Sequence, residues 1–487
     1  MNSTAPGPSQ SDRPPLGHLN NWIGGTEKPP FSGEYSTGTN PSSGGPTVMI
    51  ASSDDADVTA AVAAAKAASS EWRRFPSAAR GRILNRIAQA IRVHAEDLIA
   101  LEIQDTGKPR HTAEWEVENS AAYFEFYATL VNLPAGDVLD VEPNHHMFTK
   151  REPFGVIGII TPWNLPLNQA ARAVAPALTA GNVVVLKPPS TSSQTSVLMG
   201  KIAQEAGLPD GVLNVVLGQG SKVGTAIVSH PDVRKVAFTG SVATGRSIGR
   251  IAAERIIPLT LELGGKSANI VFDDADLEFA ATEAVRAFAN NAGQVCSAGT
   301  RLLVQETIHD EFVQKVATIA GRLEEGVDVG PMITRHQYEE VQNYFEVARA
   351  EGAEPIIGGS ASRKPELEGG FYVQPTIYPR VSNDMRIARE EVFGPVLVTI
   401  PFSTEEDAIQ IANDSDFGLV GGVFTGDIGR ALRVSDALEA GQIFVNSWST
   451  GAVQMPFGGH KHSGYGREKG IEALMHYSHL KSVVVVY

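Results

Sequence analysis

The sequence predicts an α/β protein built on a buried parallel sheet. Between Phe154 and Phe272 short β-rich runs alternate with helical runs, and a second alternation extends from Phe288 to about Val445. The composition is that of an ordinary globular chain, 42% hydrophobic and 20% charged over 487 residues. Strands separated by helix-length segments imply βαβ units, and such sheets bind ligands outside the carboxyl ends of their strands. At roughly 150 residues per domain the length allows about three domains. A chain this long buries most of its surface without disulfide or metal staples.

Residues 1–17 are rich in Pro, Ser and Gly and lack an apolar core segment, so they read as a disordered lead-in and not as a secretory signal. Asp55 to Lys108 reads as helical, because Val58, Val62 and Ala65, and then Ile83, Ile87 and Ile91, recur at helical spacing. Ser53 with Ala56 makes only half a capping box at its start. A further helix carries Tyr123 to Tyr127 and breaks at Pro134-Ala135-Gly136. The strand candidates that follow are Val156–Ile160, Val183–Leu186, Leu213–Val216, Val236–Thr239 and Asn269–Phe272. Between them lie the helix candidates Leu167–Leu178, Ser193–Ala206, Lys222–Ser229 and Ala243–Ala253. Lys481 to Tyr487 is a valine run that would be an aggregation hazard if left free, so it is expected to pair with another strand, on a neighbouring subunit.

Lys and Arg total 40 against 55 Asp and Glu, a formal net charge of −15. That excess of acid argues against nucleic acid or an anionic membrane as the main partner, though it leaves room for a locally basic pocket. No apolar run approaches the ~18 residues of a membrane span. The single cysteine, Cys296, permits no intramolecular disulfide and no CxxC site, which points to a reducing, cytoplasmic compartment. Gly264-Gly265-Lys266-Ser267 looks like the end of a phosphate-binding loop, but Thr260 stands where its first glycine belongs. His145-His146 and the His460/His462 pair lack a third ligand, so no metal is expected.

Three residues stand out chemically. Cys296 lies in Gly293-Gln294-Val295-Cys296-Ser297-Ala298-Gly299. A lone cysteine is usually a small hydrophobe, but these small and polar neighbours let a ligand approach closely. Glu262 sits between Leu261 and Leu263, where a carboxylate is costly unless paired or functional. Burial would raise its pKa and suit it to general-base work; the alternative is an ion pair with Lys266. Asn164 follows Thr161-Pro162-Trp163 at a strand-to-helix junction, as a turn residue or as an oxyanion donor.

These segments lie in one order: Ile159-Ile160-Thr161-Pro162-Trp163-Asn164, Phe238-Thr239-Gly240-Ser241, Leu261-Glu262-Leu263-Gly264-Gly265-Lys266, Gly293-Gln294-Val295-Cys296, Glu391-Val392-Phe393-Gly394-Pro395 and Pro456-Phe457-Gly458-Gly459. Each alone is modestly specific. Together, over nearly the whole chain from about residue 20, they resemble the aldehyde dehydrogenase superfamily. The resemblance implies an aldehyde dehydrogenase-like fold: a Rossmann-variant cofactor domain over 18–128 and 150–263, an α/β catalytic domain over 264–465, and a small β oligomerisation element over 129–149 and 466–487. It implies a homodimer or homotetramer.

It also implies a mechanism. A planar aldehyde surrenders hydride poorly, so a thiolate adds first and gives a thiohemiacetal. Cys296 matches the family nucleophile. Asn164 and the Cys296 backbone N–H would hold the oxyanion, a donor whose removal typically costs about 10²–10³ in rate. Glu262 matches the base that activates water for thioester hydrolysis. Its presence opposes the alternative of a coenzyme A-acylating semialdehyde dehydrogenase, and the presence of both groups opposes a catalytically silent structural homologue.

For an NAD or NADP cofactor, Lys187 resembles the lysine at the adenine ribose, and Gly240, Ser241 and Gly245 the turn near the pyrophosphate. Glu391 resembles the residue at the nicotinamide ribose, and Phe393 the ring beside the nicotinamide, with Trp163 close by. Ile160, Thr161, Ser190 and Gly220 complete the expected cofactor set. Lys187-Pro188-Pro189-Ser190 departs from the Lys-Pro-Ser/Ala-Glu of many NAD-preferring members. A serine does not repel a 2′-phosphate as an acid would, so NADP is expected to be tolerated or preferred. Arg172, eight residues beyond Asn164, stands where small-alkyl enzymes carry tryptophan. Arginine there resembles succinic-semialdehyde, benzaldehyde and vanillin enzymes, and can bind a carboxylate in bidentate fashion; the alternative is a salt bridge behind the helix. Leu165, Gln169, Tyr123, Phe124, Tyr127, Val295 and Trp448 are the other tunnel candidates, although Tyr123 and Tyr127 at helical spacing read equally as core. The expected substrate is an aromatic or carboxylate-bearing aldehyde.

Overall fold

The computed structural model describes residues 16–133, 135–448 and 451–487. Residues 1–15 of the expected lead-in, and Pro134 of the expected helix-breaking turn, lie outside the described residues.

Among the described residues the larger sheet has eight strands. Its centre is parallel: Leu259–Glu262, Val233–Thr239, Val156–Ile160, Val183–Lys187 and Leu213–Val215 lie side by side in that order. These strands are rich in Val, Ile and Leu because nearly every position is covered on both faces, with Arg234 of Val233–Thr239 as the exposed exception. Antiparallel strands close the two edges, Asn21–Ile23 beside Leu213–Val215 and Gly464–Tyr465 beside Leu259–Glu262. The register pairs Ile160 with Lys187, Phe238 with Ile160, and Thr239 with Glu262. Three site candidates of the sequence, Ile160, Lys187 and Glu262, therefore emerge together at the carboxyl edge.

The expected strand near Asn269–Phe272 forms as Ala268–Val271 and belongs to a second, six-stranded parallel sheet, flanked by Arg301–Gln305 and Val420–Phe424. The helices between the strands of the larger sheet form within a few residues of expectation, at Pro166–Thr179, Gln194–Glu205 and Val242–Arg255. Around Lys222 a wide π-type turn, Gly220–Gly224, precedes the α-helix Thr225–Ser229.

Three local expectations are corrected. The first helix, Asp55–Arg74, has a complete capping box, one residue later than Ser53. Asp54 accepts from the Ala56 N–H at 2.9 Å and Asp57 accepts from the Asp54 N–H at 3.1 Å, a shorter acid serving in place of Glu or Gln. The helix bearing the aromatics, Arg110–Thr129, ends before the expected Pro-Ala-Gly break. The C-terminal strand Ser478–Val486 pairs antiparallel with His145–Pro153, from Ser478–Pro153 to Val486–His145, so one of its edges finds within its own chain the kind of partner expected on a neighbouring subunit. Its outer edge carries the exposed Val484, Val485 and Val486.

Candidate active site

Thr161 to Leu165 connect the strand Val156–Ile160 to the helix Pro166–Thr179, which starts with proline in its first turn and has no side-chain cap of its own. Above the carboxyl edge lies a cleft of about 640 Å³. Ile160, Thr161, Trp163, Lys187, Ser190, Gly220, Gly240 and Ser241 all line it, so eight of the cofactor residues expected from the sequence come together there. Ser241 caps the helix Val242–Arg255 by accepting from the Thr244 N–H at 3.3 Å, which leaves a helix N-terminus facing the cleft. Gly245 stands apart from the lining: a Cβ there would come within 2.7 Å of Leu263, so this glycine serves helix–sheet packing. Lys187 is the one charged side chain among the described lining residues, and desolvation lowers its pKa to about 8. A charged ammonium, a helix N-terminus and the unpartnered Thr161 hydroxyl lining one cleft fit the phosphates and ribose of a dinucleotide.

Glu391 and Phe393 lie at the junction of the two sheets. Glu391 accepts from the Gly265 N–H at 3.0 Å, and a Cβ on Gly264 would fall 2.1 Å from its other oxygen, so glycine is required for that approach. Desolvation raises its carboxyl to about 7, against the Gly265 hydrogen bond and the Lys266 charge. Phe393 meets Trp163 edge-to-face with ring centroids 5.3 Å apart. Its backbone is left-handed, at φ 55°, which costs energy for a non-glycine residue and is common at functional sites.

Cys296 follows a left-handed turn in which Asn291, Ala292 and Gly293 have φ of 49°, 53° and 70°. Only glycine fits the third position, since a Cβ would lie 2.1 Å from the Gly394 carbonyl oxygen. The Gln294 side chain fastens this turn, donating to the Asn291 and Pro331 carbonyls and accepting from the Ile333 N–H. Asn164 reaches across and donates Nδ2–H to the Gln294 carbonyl at 2.8 Å, which leaves its second amide hydrogen available. The Cys296 backbone N–H donates to no described residue. Cys296, Asn164, Leu165, Gln169, Arg172, Tyr123 and Val295 share one small cavity of about 50 Å³. Leu165 and Val295, with Trp115, also line an outer chamber of about 420 Å³.

Not every candidate reaches this cavity. Phe124 and Tyr127 are fully buried in the helical core, and the Tyr127 hydroxyl donates to the Gly470 carbonyl at 2.9 Å. Trp448 packs behind the Cys296 loop, where a Cβ on Gly299 would touch its ring at 2.9 Å. Conversely, Trp115, Asn119, Phe457 and Lys469 line the cavity and were missed. Trp115 and Asn119 are one helical turn apart and lie two turns and one turn ahead of Tyr123, a spacing that could have flagged them. Phe457 lies in the Pro456-Phe457-Gly458-Gly459 segment noted in the sequence, but neither it nor Lys469, both from the far end of the chain, carries a local sign that it reaches this cavity.

The electrostatics are dominated by burial. Glu262 is buried, neither carboxylate oxygen has a hydrogen-bond partner, and no ion pair with Lys266 forms among the described residues. Desolvation raises its pKa well above the usual range; Arg172 opposes this and Glu468 reinforces it. The thiol of Cys296 is pushed up to about 12 by desolvation, opposed by Arg172 and reinforced by Glu262 and Glu391. Arg172 is itself buried. Its Nε pairs with Glu468, one Nη donates to the Thr239 hydroxyl at 3.4 Å, and its guanidinium lies over Phe457. Among the described residues no group of three or more His, Cys, Asp or Glu is arranged to hold a metal ion, and no helix is long and apolar enough to cross a membrane.

A model of the aldehyde dehydrogenase family matches residues 31–483. The chain belongs to the aldehyde dehydrogenase family. A betaine aldehyde dehydrogenase of Bacillus subtilis is 42% identical over 436 residues, covering 88% of this chain and 89% of that protein. The crystal structure of a betaine aldehyde dehydrogenase from Staphylococcus aureus with NAD+ superposes with a TM-score of 0.94 at 36% identity, over 96% of this chain and 94% of that one. The NAD+ complex of an aldehyde dehydrogenase from Bacillus cereus does so with a TM-score of 0.94 at 37% identity, over 96% of each chain. The enzyme is an NAD(P)-dependent aldehyde oxidoreductase, and its aldehyde dehydrogenase fold accounts for both sheets described above.

Proposed function

We propose that the enzyme oxidises an aromatic or carboxylate-bearing aldehyde to the carboxylic acid, with Cys296 as nucleophile, Asn164 as oxyanion donor and Glu262 as base. The observation that carries this reading is the shared cavity of Cys296, Asn164 and Arg172, with an unpartnered buried carboxylate, Glu262, beside Arg172. The Cys296 sulfur attacks the carbonyl carbon, and the oxygen gains negative charge beside the Asn164 amide and the Cys296 N–H. A nicotinamide dinucleotide, when held in the cleft of Lys187 and Ser241, would accept the hydride that leaves the former carbonyl carbon as its C–H bond breaks. The thioester left on Cys296 is released by water that gives its proton to Glu262, whose raised pKa brings it toward the operating pH. Replacing Cys296 with Ser, and trapping an acyl adduct on the native thiol, tests the assignment: intact turnover in the serine variant, or no adduct, refutes it.

The relatives named for betaine aldehyde act on a trimethylammonium substrate. Such a cation is best held by an aromatic cage, and here Arg172 and Lys469 line the cavity beside Tyr123, Trp115 and Phe457. Two basic side chains favour a neutral ring or an anionic group. Arg172 Nη1 makes no hydrogen bond to a described residue, which leaves a donor for such a group.

We further propose that NADP serves as well as NAD. No carboxylate occurs among the described residues lining the cofactor cleft, and Ser190 is part of that lining. Measuring kcat/KM with both cofactors checks this; an NAD preference above about a hundredfold, or about 2.7 kcal/mol, rules it out. Assembly into a homodimer or homotetramer through the open edge of Ser478–Val486 completes the proposal, with 18–128 and 150–263 as cofactor domain and 264–465 as catalytic domain.

A further inference from the structure

A buried cluster of charge lies behind the oxyanion loop. Lys108, Glu102 and Glu116 are at most 3% exposed. Lys108 Nζ donates to Glu102 at 3.1 Å and to Glu116, and reaches the Asn164 carbonyl at 3.4 Å. Asn291 Nδ2 donates to the same carbonyl at 3.1 Å, so the Asn164 backbone is held from two sides.

The carboxylates are engaged on their far sides as well. Glu102 Oε1 accepts from the Leu167 N–H at 3.1 Å and from the Thr195 hydroxyl at 2.8 Å, and Glu116 Oε1 accepts from the Asn168 N–H at 3.1 Å. Those N–H groups belong to the first turn of the helix Pro166–Thr179, which has no side-chain cap. Two carboxylates from distant helices therefore do the work of a cap, and their negative charge meets the positive end of the helix dipole. Stability alone is a weak reason for such a cluster, because buried ion pairs are often matched or surpassed by apolar residues of the same volume. What this one does specifically is fix the backbone at Asn164 and at the helix start just beyond it, from the Asn164 carbonyl to the Leu167 and Asn168 N–H groups.

We propose that Lys108, with Glu102 and Glu116, positions the Asn164 amide for the oxyanion. The inference rests on Asn164 being the oxyanion donor, as proposed above. Lys108 touches neither substrate nor sulfur; it acts through the carbonyl of Asn164, and its carboxylate partners act through the helix start immediately beyond.

A double-mutant cycle on the full-length enzyme with bound NAD+ tests this. Asn164→Ala, Lys108→Met and their combination are compared by the single-turnover burst of reduced nicotinamide, the Kd for NAD+ and the rate of Cys296 alkylation by iodoacetamide. Asn164→Ala should lower the burst about 10²–10³-fold. Lys108→Met should lower it about tenfold or more, with Kd and alkylation changed less than about twofold, yet add less than about threefold in the Asn164→Ala background. If Lys108→Met fails to fold because it strands two carboxylates, the triple variant Lys108→Met/Glu102→Gln/Glu116→Gln removes the charges together and keeps oxygens for the Leu167 and Asn168 N–H groups. Equal losses in both backgrounds overturn the inference alone. An unchanged burst in Asn164→Ala overturns it together with the assignment of Asn164.

Discussion

Replacing Arg172 with Leu removes a cation that serves two purposes, and the two have different signatures. Its first partner is Glu468, whose side chain is 2% exposed, so the variant leaves a buried carboxylate without its counter-charge. Breaking such a pair costs about 3–5 kcal/mol of stability, which lowers the unfolding midpoint whatever the substrate. Arg172 is also the group that opposes desolvation at Cys296, so the thiol moves still higher and every aldehyde reacts more slowly. The second purpose is substrate-specific. A hydrogen bond between a guanidinium and a carboxylate contributes about 1.5–3 kcal/mol, which converts to about 10- to 150-fold in kcat/KM. Arg172→Leu should therefore reduce kcat/KM for 4-carboxybenzaldehyde or succinic semialdehyde by that factor beyond the loss for benzaldehyde, with 4-hydroxybenzaldehyde between them. Ratios against benzaldehyde cancel the common loss. Equal losses across the panel would show that the guanidinium is a structural partner of Glu468 and takes no part in selecting the aldehyde.

Other outcomes follow from the same geometry. In the cofactor-free enzyme a Cys296 pKa near 12 leaves about one thiolate in 10⁴ at pH 8, so alkylation by iodoacetamide should rise with pH and show no plateau below pH 10; a plateau near pH 8 contradicts the burial argument. Glu262→Gln should retain a burst of reduced nicotinamide but accumulate the acyl-enzyme, with turnover down about 10²–10⁴-fold. Because Glu262 must be ionised to accept a proton and its pKa is raised, thioester hydrolysis in the native enzyme should fall as pH drops through that raised value; a hydrolysis rate insensitive to pH from 5 to 9 argues against Glu262 as base. Deleting Val483 to Tyr487 removes the pairing of Val483 to Val486 with His145 to Phe148 and should give smaller species or aggregates on sizing; unchanged oligomers count against the proposed role of that edge.

What the sequence made legible was local. Val/Ile runs buried on both faces announce parallel strands, and a carboxylate closing one of them, Glu262, is conspicuous because nothing nearby in sequence pays its desolvation. The same holds for Cys296 among small and polar neighbours. Illegible features depend on convergence from far along the chain. Glu102 and Glu116 sit on ordinary helical positions, and only the fold brings them to the start of a helix some fifty to sixty residues later. Arg172 shows no sign in sequence that Glu468 will reach it. Tyr127 shares the helical stripe of Tyr123, and periodicity cannot tell the turn that reaches a cavity from the one that reaches the core. The valine strand posed the same ambiguity, since an exposed strand needs a partner but its composition does not say whose.

Convergence of buried charge also governs the protonation of Cys296 and Glu262. Cys296 and Glu262 are both shifted upward by desolvation, and the Glu262 carboxylate raises the thiol further, so both groups tend to hold their protons. Arg172 is the main counterweight to both, yet Glu468 neutralises part of it. The site is therefore poised by a single shared cation whose effective charge is set by its partner. Changing Glu468 to Gln, which keeps the volume and removes the charge, should lower the pKa of the thiol and of the base together. A uniform acceleration of Cys296 alkylation at pH 8 in that variant supports the arrangement, whereas an unchanged rate would mean that desolvation alone governs the sulfur and the ion pair is incidental to it.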